Sequence, residues 1–195
     1  MSSTKTLLKF ESLLKQYNAI YRDLGSLHKK GDLDNDVEHS YRVAMLCWML
    51  INEYKLKLDT NKVIRYALIH DLPEVYAGDI SVHASEALLK NKARNEAKAF
   101  KKLEKQFPKQ EGIWKDLHEY EKKKNAESKF VYVVEKLEAY LVAILSEEDK
   151  WIKKGVTKEA VEKLQRKIGN VDTVAQFLNK DLMDYVRKNK RKFEK

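Results

Sequence analysis

Glycine and proline are scarce in this chain of 195 residues, which contains six Gly and two Pro. Average usage would give roughly 14 and 10 residues, respectively. Because hairpins, bulges and tight loops consume these two residue types, their scarcity predicts an all-α fold. The single cysteine, Cys47, excludes an internal disulfide framework and fits a reducing compartment.

A long hydrophobic run is missing from the N-terminal segment. Its first fifteen residues carry four charged side chains among leucines, at Lys5, Lys9, Glu11 and Lys15. These charges interrupt both the apolar centre of a signal peptide and a membrane span. We therefore expect a soluble, cytoplasmic protein with no membrane partner.

Positive charge is in excess, with 39 Lys and Arg against 30 Asp and Glu and a formal net charge of +9. Such a balance attracts anions, among them nucleic acid, anionic lipid and phosphorylated metabolites. The lysines are spread along the whole chain, with local runs at 122–124 and 187–195, which is typical of solvated helix faces. No interleaved aromatic residues or nucleic-acid reading motif accompany them, so a nucleic-acid partner is disfavoured.

A single domain over residues 1–195 is expected, because no internal repeat, low-complexity linker or Pro/Gly/Ser-rich break interrupts the chain. Hydrophobic periodicity predicts a bundle of seven or eight helices, with Asp36 as the cap that precedes the second. Their approximate ranges are 4–20, 36–55, 60–71, 84–107, 111–124, 126–153, 157–169 and 171–191. The least helical segments, 23–35 and 72–81, are loops beside rigid helices, where functional sites are usually built.

Two histidines are predicted to converge on one interior. The apolar stripe of the second helix extends back onto His39, and that of the third extends forward onto His70, with Asp71 beside it. A single histidine on such a stripe is more often a hydrogen-bonded core residue. Two of them with a carboxylate and an adjoining loop favour a divalent transition metal, whose usual ligands are neutral imidazoles and carboxylates.

Further carboxylates are candidates for a functional site. Glu135 and Glu138 interrupt the apolar side of the long helix; the alternative is a pair of exposed acids. Glu74 and Asp79 follow the third helix, and carboxylates near a metal can orient or deprotonate a bound water. The alternative role of Asp79 is to cap the next helix.

The sequence resembles the HD-domain phosphohydrolases, and its closest branch is the YfbR-like 5′-deoxynucleotidases. The resemblance runs from about residue 17 to 145, and the C-terminal helices at 157–195 match nothing we can place. The motifs that carry it occur in the family's order and spacing. They are Glu38-His39-Ser40, His70-Asp71, Glu74, Gly78-Asp79, Glu119-Tyr120-Glu121, Glu127 and Val134-Glu135-Lys136-Leu137-Glu138-Ala139.

The resemblance implies an all-α bundle that holds one divalent cation through His39, His70, Asp71 and the first acid of the last motif. That position is normally Asp in the family and is Glu135 here, which has one more methylene and about 1.5 Å more reach. Histidine and carboxylate ligands admit Mn, Fe, Co, Ni or Zn, and Mg is a further candidate. The family often forms homodimers, so a homodimer is also expected.

The family places an arginine before the first histidine to bind the substrate phosphate, followed by a tryptophan against the sugar. In this chain the arginine is Arg22 and the tryptophan position is Asp23. The planar guanidinium suits phosphate because it binds two oxygens at once. Loss of the aromatic wall should change which sugar is tolerated.

The leading hypothesis is a metal-dependent phosphohydrolase that releases inorganic phosphate from nucleoside mono-, di- or triphosphates, modified nucleotides included. Glu74 and Asp79 are its catalytic candidates, and Arg22 and Asp23 its substrate-binding candidates. The alternative is an inactive nucleotide-sensing or nucleic-acid-binding module that has lost turnover through Glu135. A cyclic-nucleotide phosphodiesterase is disfavoured because the chain has no Gly-Tyr-Pro signature.

Overall fold

In the computed structural model, residues 3–25, 27, 32–80, 85–145, 184 and 188 are described. These residues form seven helices and one pair of short strands. In chain order they are α1 (Thr4–Tyr17), β1 (Tyr21–Gly25), β2 (Leu33–Asn35), α2 (Asp36–Glu53), α3 (Thr60–Ile69), α4 (Glu74–Ala77), α5 (Glu86–Gln106), α6 (Glu111–Lys122) and α7 (Ala126–Leu145). The helical prediction is confirmed. The helix predicted at 157–169, residues 146–153 of the long helix, and all of the helix predicted at 171–191 except residues 184 and 188 lie outside the described residues.

Apolar faces of the helices meet in two hydrophobic clusters. The first lies between α2, α3 and α7 and includes Val43, Val63 and Val131, all with no exposed surface. The second lies between α1, α5 and α6 and includes Leu13 and Leu103. Burial of these side chains supplies the main favourable term for folding. It also fixes the helix rotations that decide which polar residues face inward.

The antiparallel strands β1 and β2 correct the prediction of an irregular segment before the first histidine. Tyr21 pairs with Asn35 and Gly25 with Leu33, and the register shifts between these two pairs. The amide of Asp36 donates to the carbonyl of Ile20 at 3.1 Å, which ties the pair to the start of α2. The strands therefore hold Arg22 close to the first turn of α2.

The N-terminus of α2 differs from the prediction by one residue. Asn35, rather than Asp36, is the cap, and its side-chain oxygen accepts from the amides of Val37 and Glu38. Asp36 is the first helical residue and is fully buried. Because Asn35 satisfies the free amides, the carboxylate of Asp36 remains for interactions in the interior.

The connection after α3 is a tight turn followed by the one-turn helix α4. Gly78 ends α4 with φ of 76°, a conformation that side chains other than glycine rarely adopt. Within the described residues, no helix is both long and apolar enough to cross a membrane.

Candidate metal centre

The two histidines point at each other across the gap between α2 and α3. His39 lies in the first turns of α2 and His70 is the C-terminal cap of α3, and both are almost fully buried. Their Nε2 atoms are 3.3 Å apart. The two apolar stripes therefore bring both imidazoles to one point.

The other nitrogen of each imidazole is already hydrogen-bonded. His39 Nδ1 lies 2.5 Å from Glu138 Oε2, and His70 Nδ1 lies 2.8 Å from the carbonyl oxygen of Ala67. Both partners are acceptors, so each Nδ1 carries a proton, and in the neutral form of both rings the two Nε2 lone pairs face each other. Two facing lone pairs repel each other unless a proton or a cation lies between them. Histidines that bind a metal have this arrangement, with one nitrogen donating to an acceptor and the other facing the ion.

A carboxylate completes this cluster. Asp71 Oδ2 is 3.1 Å from His70 Nε2 and 3.6 Å from His39 Nε2. Ligand atoms of His39, His70 and Asp71 all lie within 4.8 Å of one another, which is close enough to hold one metal ion. Two imidazole nitrogens and one carboxylate oxygen are a donor set suited to a divalent transition metal, so the residues fit the group that the sequence predicts.

The charges of this cluster are strongly coupled. Burial lowers the pKa of His39, and the nearby Arg22 guanidinium lowers it further. Burial also opposes the charged form of His70, but the Asp71 carboxylate outweighs it and raises the pKa of His70 to about 9. A single positive charge is thus favoured at the cluster, and a proton on His70 supplies it where no cation does.

Glu135 and Glu138 are both buried, which excludes the alternative of two exposed acids. Glu135 Oε2 accepts from the Tyr120 hydroxyl at 2.7 Å and lies 3.2 Å from His70 Nε2, while its Oε1 is 2.7 Å from Lys136 Nζ. Burial opposes ionisation of Glu135, but Lys136 and His70 lower its pKa to about 2. Glu135 therefore contacts one histidine of the cluster from the side, and the three-residue cluster does not include it.

Arg22 extends from β1 to the edge of the cluster. Its Nη1 lies 3.3 Å from Asp71 Oδ2 and 3.4 Å from Asp36 Oδ1. Its Nε is buried and has no hydrogen-bond partner among the described residues. The Nε–H group therefore has a hydrogen-bonding capacity that no described residue uses. The backbone of Asp23 lies in the same strand, but its side chain is outside the described residues.

Glu74, the first residue of α4, lies close to Asp71, and their carboxylate oxygens are within 4.8 Å of each other. Lys92 of α5 donates to Glu74 Oε1 at 3.1 Å and to the carbonyl of Ile80 at 3.0 Å. Glu74 Oε2 is buried without a hydrogen-bond partner among the described residues. Burial, and then the charge of Asp71, raise the pKa of Glu74 well above its usual value. Asp79 is partly buried, and its charge raises the pKa of Glu74 further.

Comparison with known proteins identifies the family. The family model described as "HD domain" matches residues 21–175. The chain belongs to the HD-domain family. This result confirms the resemblance drawn from the motifs, and together with the curated relatives described next it indicates that the chain is a hydrolase.

The relatives of this HD-domain protein include 5′-deoxynucleotidases. It is 33% identical over 150 residues to 5′-deoxynucleotidase HDDC2 of Xenopus laevis, covering 75% of this chain and 72% of the relative. The human 5′-deoxynucleotidase HDDC2 is 30% identical over 144 residues, covering 71% and 67% of the two chains.

Solved structures share the fold of this HD-domain protein. A protein described as a predicted metal-dependent phosphohydrolase from Magnetospirillum magnetotacticum superposes with a TM-score of 0.79 at 24% identity, covering 94% of this chain and 92% of that one. An HD-domain phosphohydrolase from Listeria innocua gives a TM-score of 0.58 at 19% identity, covering 93% and 86%. At these identities the likeness concerns the fold alone.

Three polar residues of the site were missed at the sequence level. Asp36 forms a second group of acids with Asp71 and Glu74, and burial raises the pKa of Asp36 to about 7. Arg42 contacts Glu138, and Lys92 contacts Glu74. Arg42 lies three residues after His39 on the same helix face, and this spacing could have identified it as a neighbour of the site. Lys92 lies in a lysine-rich helix and gives no such signal.

Proposed function

We propose that this HD-domain phosphohydrolase releases inorganic phosphate from nucleotides with the help of one divalent cation. The observation that carries the proposal is the 3.3 Å separation of two Nε2 atoms whose rings are both anchored through Nδ1. His39, His70 and Asp71 would hold the cation, with Glu135 as a fourth ligand beside His70. The names of the relatives support deoxynucleoside 5′-monophosphates as the first substrate class.

The donor set favours a transition metal over Mg²⁺, because two of its three clustered ligands are imidazoles. A cation bound here would act as a Lewis acid toward the phosphoryl group and lower the pKa of water at the site. The protein side supplies the buried environment, which strengthens electrostatic interactions with a charged substrate.

Arg22 is the proposed phosphate-binding residue. Its Nη1 is engaged by Asp36 and Asp71, so the side chain is held in place before substrate arrives. The unpartnered Nε can then donate to a phosphate oxygen, and the guanidinium charge offsets the negative charge of the transition state. Asp23, next along β1, is the proposed contact on the sugar side.

Glu74 and Asp79 are the proposed proton-handling residues. A water oxygen forms a bond to phosphorus, the bond from phosphorus to the sugar oxygen breaks, and the sugar oxygen takes up one proton, so that the nucleoside leaves as an alcohol. The proton that the water gives up balances the one that the sugar oxygen gains. The water proton passes to a carboxylate, and the unpartnered Oε2 of Glu74 is suited to receive it. Lys92 holds the other oxygen of Glu74 and so fixes the direction of Oε2.

The test is phosphate release from nucleoside mono-, di- and triphosphates, each with Mn²⁺, Fe²⁺, Co²⁺, Ni²⁺, Zn²⁺ or Mg²⁺ and with a chelator. We expect release from at least one deoxynucleoside 5′-monophosphate, which the chelator abolishes and added metal restores. Nucleotide binding without release under every metal would instead support the inactive nucleotide-sensing module. The homodimer stays a prediction, which light scattering of the purified protein tests.

A further inference from the structure

Glu138 lies behind His39, away from the proposed substrate side, and no role was predicted for it. It is a carboxylate of α7 with 1% of its surface exposed. Its Oε2 contacts His39 Nδ1 at 2.5 Å, and its Oε1 accepts from Arg42 Nε at 2.5 Å. Both oxygens are therefore engaged, one by a member of the metal cluster and one by a guanidinium.

Arg42 is held in turn from its other end. Its Nη2 donates to Asp34 Oδ2 at 2.5 Å, and Asp34 in β2 has no exposed surface. The chain of contacts thus runs from Asp34 through Arg42 and Glu138 to His39. Because the guanidinium is planar and rigid, fixing its Nη2 also fixes the direction of its Nε–H bond.

These contacts impose one state on His39. An ionised carboxylate only accepts hydrogen bonds, so the ring nitrogen facing Glu138 must carry the proton. The opposite nitrogen, Nε2, then has a free lone pair, and it is this atom that lies 3.3 Å from His70 Nε2. Arg42 is the single cation among the carboxylates of Glu138 and Asp34 and that of Glu38, which is 3.9 Å from Arg42 Nη1, so a net negative charge lies behind the ring. This charge makes the imidazole a better donor to a cation.

We propose that Glu138, Arg42 and Asp34 form a positioning relay that fixes the Nδ1-protonated tautomer of His39 and thereby sets the affinity of the site for its cation. This proposal rests on the proposed function, because it concerns the same metal centre. The competing account is that the three residues only join β2, α2 and α7. A buried ion network of that kind affects stability without any special effect on His39.

The first experiment uses the metal-free protein at neutral pH and reads the tautomer of His39 from long-range ¹H–¹⁵N NMR correlations of its ring. The proposal predicts a protonated Nδ1 and an unprotonated Nε2 in the wild type. In Glu138→Gln the side chain keeps one accepting oxygen in place of two, and that oxygen can accept from either His39 Nδ1 or Arg42 Nε but not from both. His39 should then populate both of its neutral tautomers. A wild-type His39 protonated on Nε2, or an unchanged tautomer in Glu138→Gln, would overturn the relay.

The second experiment measures Zn²⁺ affinity by competition with a chromophoric chelator. Loss of an outer partner of a metal-bound histidine typically weakens metal binding by roughly 10- to 100-fold, and we expect this loss for Glu138→Gln. Arg42→Lys keeps the charge but loses the planar fork, so it should weaken binding less. Asp34→Asn, one contact further from His39, should weaken it least of the three.

The matched control is Trp114→Phe, which removes a buried hydrogen bond to the carbonyl of Phe107 in the other hydrophobic cluster. It should lower the melting temperature and leave Zn²⁺ affinity unchanged. If the losses of Zn²⁺ affinity in all four variants correlate with their losses of melting temperature, and not with the distance of the substituted residue from His39, the purely structural account is correct and the relay is overturned. A wild type that binds none of Mn²⁺, Fe²⁺, Co²⁺, Ni²⁺, Zn²⁺ and Mg²⁺ contradicts the proposed function, while the NMR measurement still decides the relay.

Discussion

Arg22 Nη1 lies 3.3 Å from Asp71 Oδ2, so the proposed phosphate-binding residue is paired with a proposed metal ligand. In the proposed site, one carboxylate would serve two cations of different kinds, the Arg22 guanidinium and a divalent ion. The pairing holds Arg22 in position, and it also reduces the negative charge that Asp71 offers to a metal. We therefore expect substrate binding and metal binding to be coupled through Asp71.

This coupling predicts opposite effects of Arg22→Ala on substrate and metal. Loss of a charge-assisted contact to phosphate should cost roughly 1.5 to 3 kcal/mol, about ten- to more than a hundredfold in kcat/KM. Metal affinity should rise, because Asp71 loses a competing positive charge. Steady-state phosphate release and a chelator competition assay measure the two effects.

Two controls accompany the Arg22 variant. Arg22→Lys should recover little activity, because an ammonium lacks the fork that binds two oxygens. Arg65→Ala removes another arginine, which lies outside the site and whose Nε is 2.6 Å from Asp116 Oδ2. It should change neither kcat/KM nor metal affinity. A kinetically silent Arg22→Ala would show that another cation binds the phosphate.

Glu135 is predicted to complete the metal site as its fourth ligand. In Glu135→Gln the amide keeps the shape but removes the charge that favours a divalent cation, so metal affinity and activity should fall together. Glu135→Asp retracts the carboxylate by about one methylene, and activity should fall unless a water bridges the gap. Metal content and phosphate release of both variants are the measurements.

The result that contradicts this role is a Glu135→Gln variant with wild-type metal content and rate. Glu119→Gln is the matched control, since Glu119 pairs with Lys62 outside the site at 2.8 Å. It should behave as the wild type. If Glu135→Asp instead raises turnover on deoxynucleotides, the natural glutamate is an attenuating change.

Asp36 is predicted to make the metal-free protein less stable as the pH rises. Burial raises its pKa from 3.8 to about 7, so the folded state binds a proton that the unfolded state has released. Stability is therefore lost between about pH 4 and about pH 7. In Asp36→Asn, which cannot ionise, this loss should be smaller. Melting temperatures across that range, with chelator present, test the prediction, and parallel curves for the two proteins would contradict it.

Helical periodicity was sufficient to predict that His39, His70 and Asp71 face one interior. Each stripe of apolar residues fixes the rotation of its helix, so the polar residue that continues the stripe must point the same way. The roles of these residues as ligands stay predictions. Arg22 could be found only through the family resemblance, because a lone arginine in an irregular segment has no periodicity.

The strands and the second layer of the site were beyond what the sequence shows. β1 and β2 are short and have an irregular register, and the amide of Asp36 at the start of α2 bonds to the carbonyl of Ile20 just before β1. From the sequence Asp36 is predicted to be the N-cap of α2, but in the structure Asn35 is the cap. Lys92 and Glu74 meet through tertiary packing of α5 on α4, which no local pattern encodes.

The central claim is that one divalent cation, held by His39, His70 and Asp71, is required for phosphate release. Its most direct test compares the metal-to-protein ratio and the phosphate release of the wild type with those of His70→Ala, with circular dichroism as the check of folding. The account predicts one bound ion per chain in the wild type, and neither bound ion nor activity in a His70→Ala variant that keeps its helical spectrum. A His70→Ala variant that retains its metal, or a wild type that stays active after complete chelation, would contradict it.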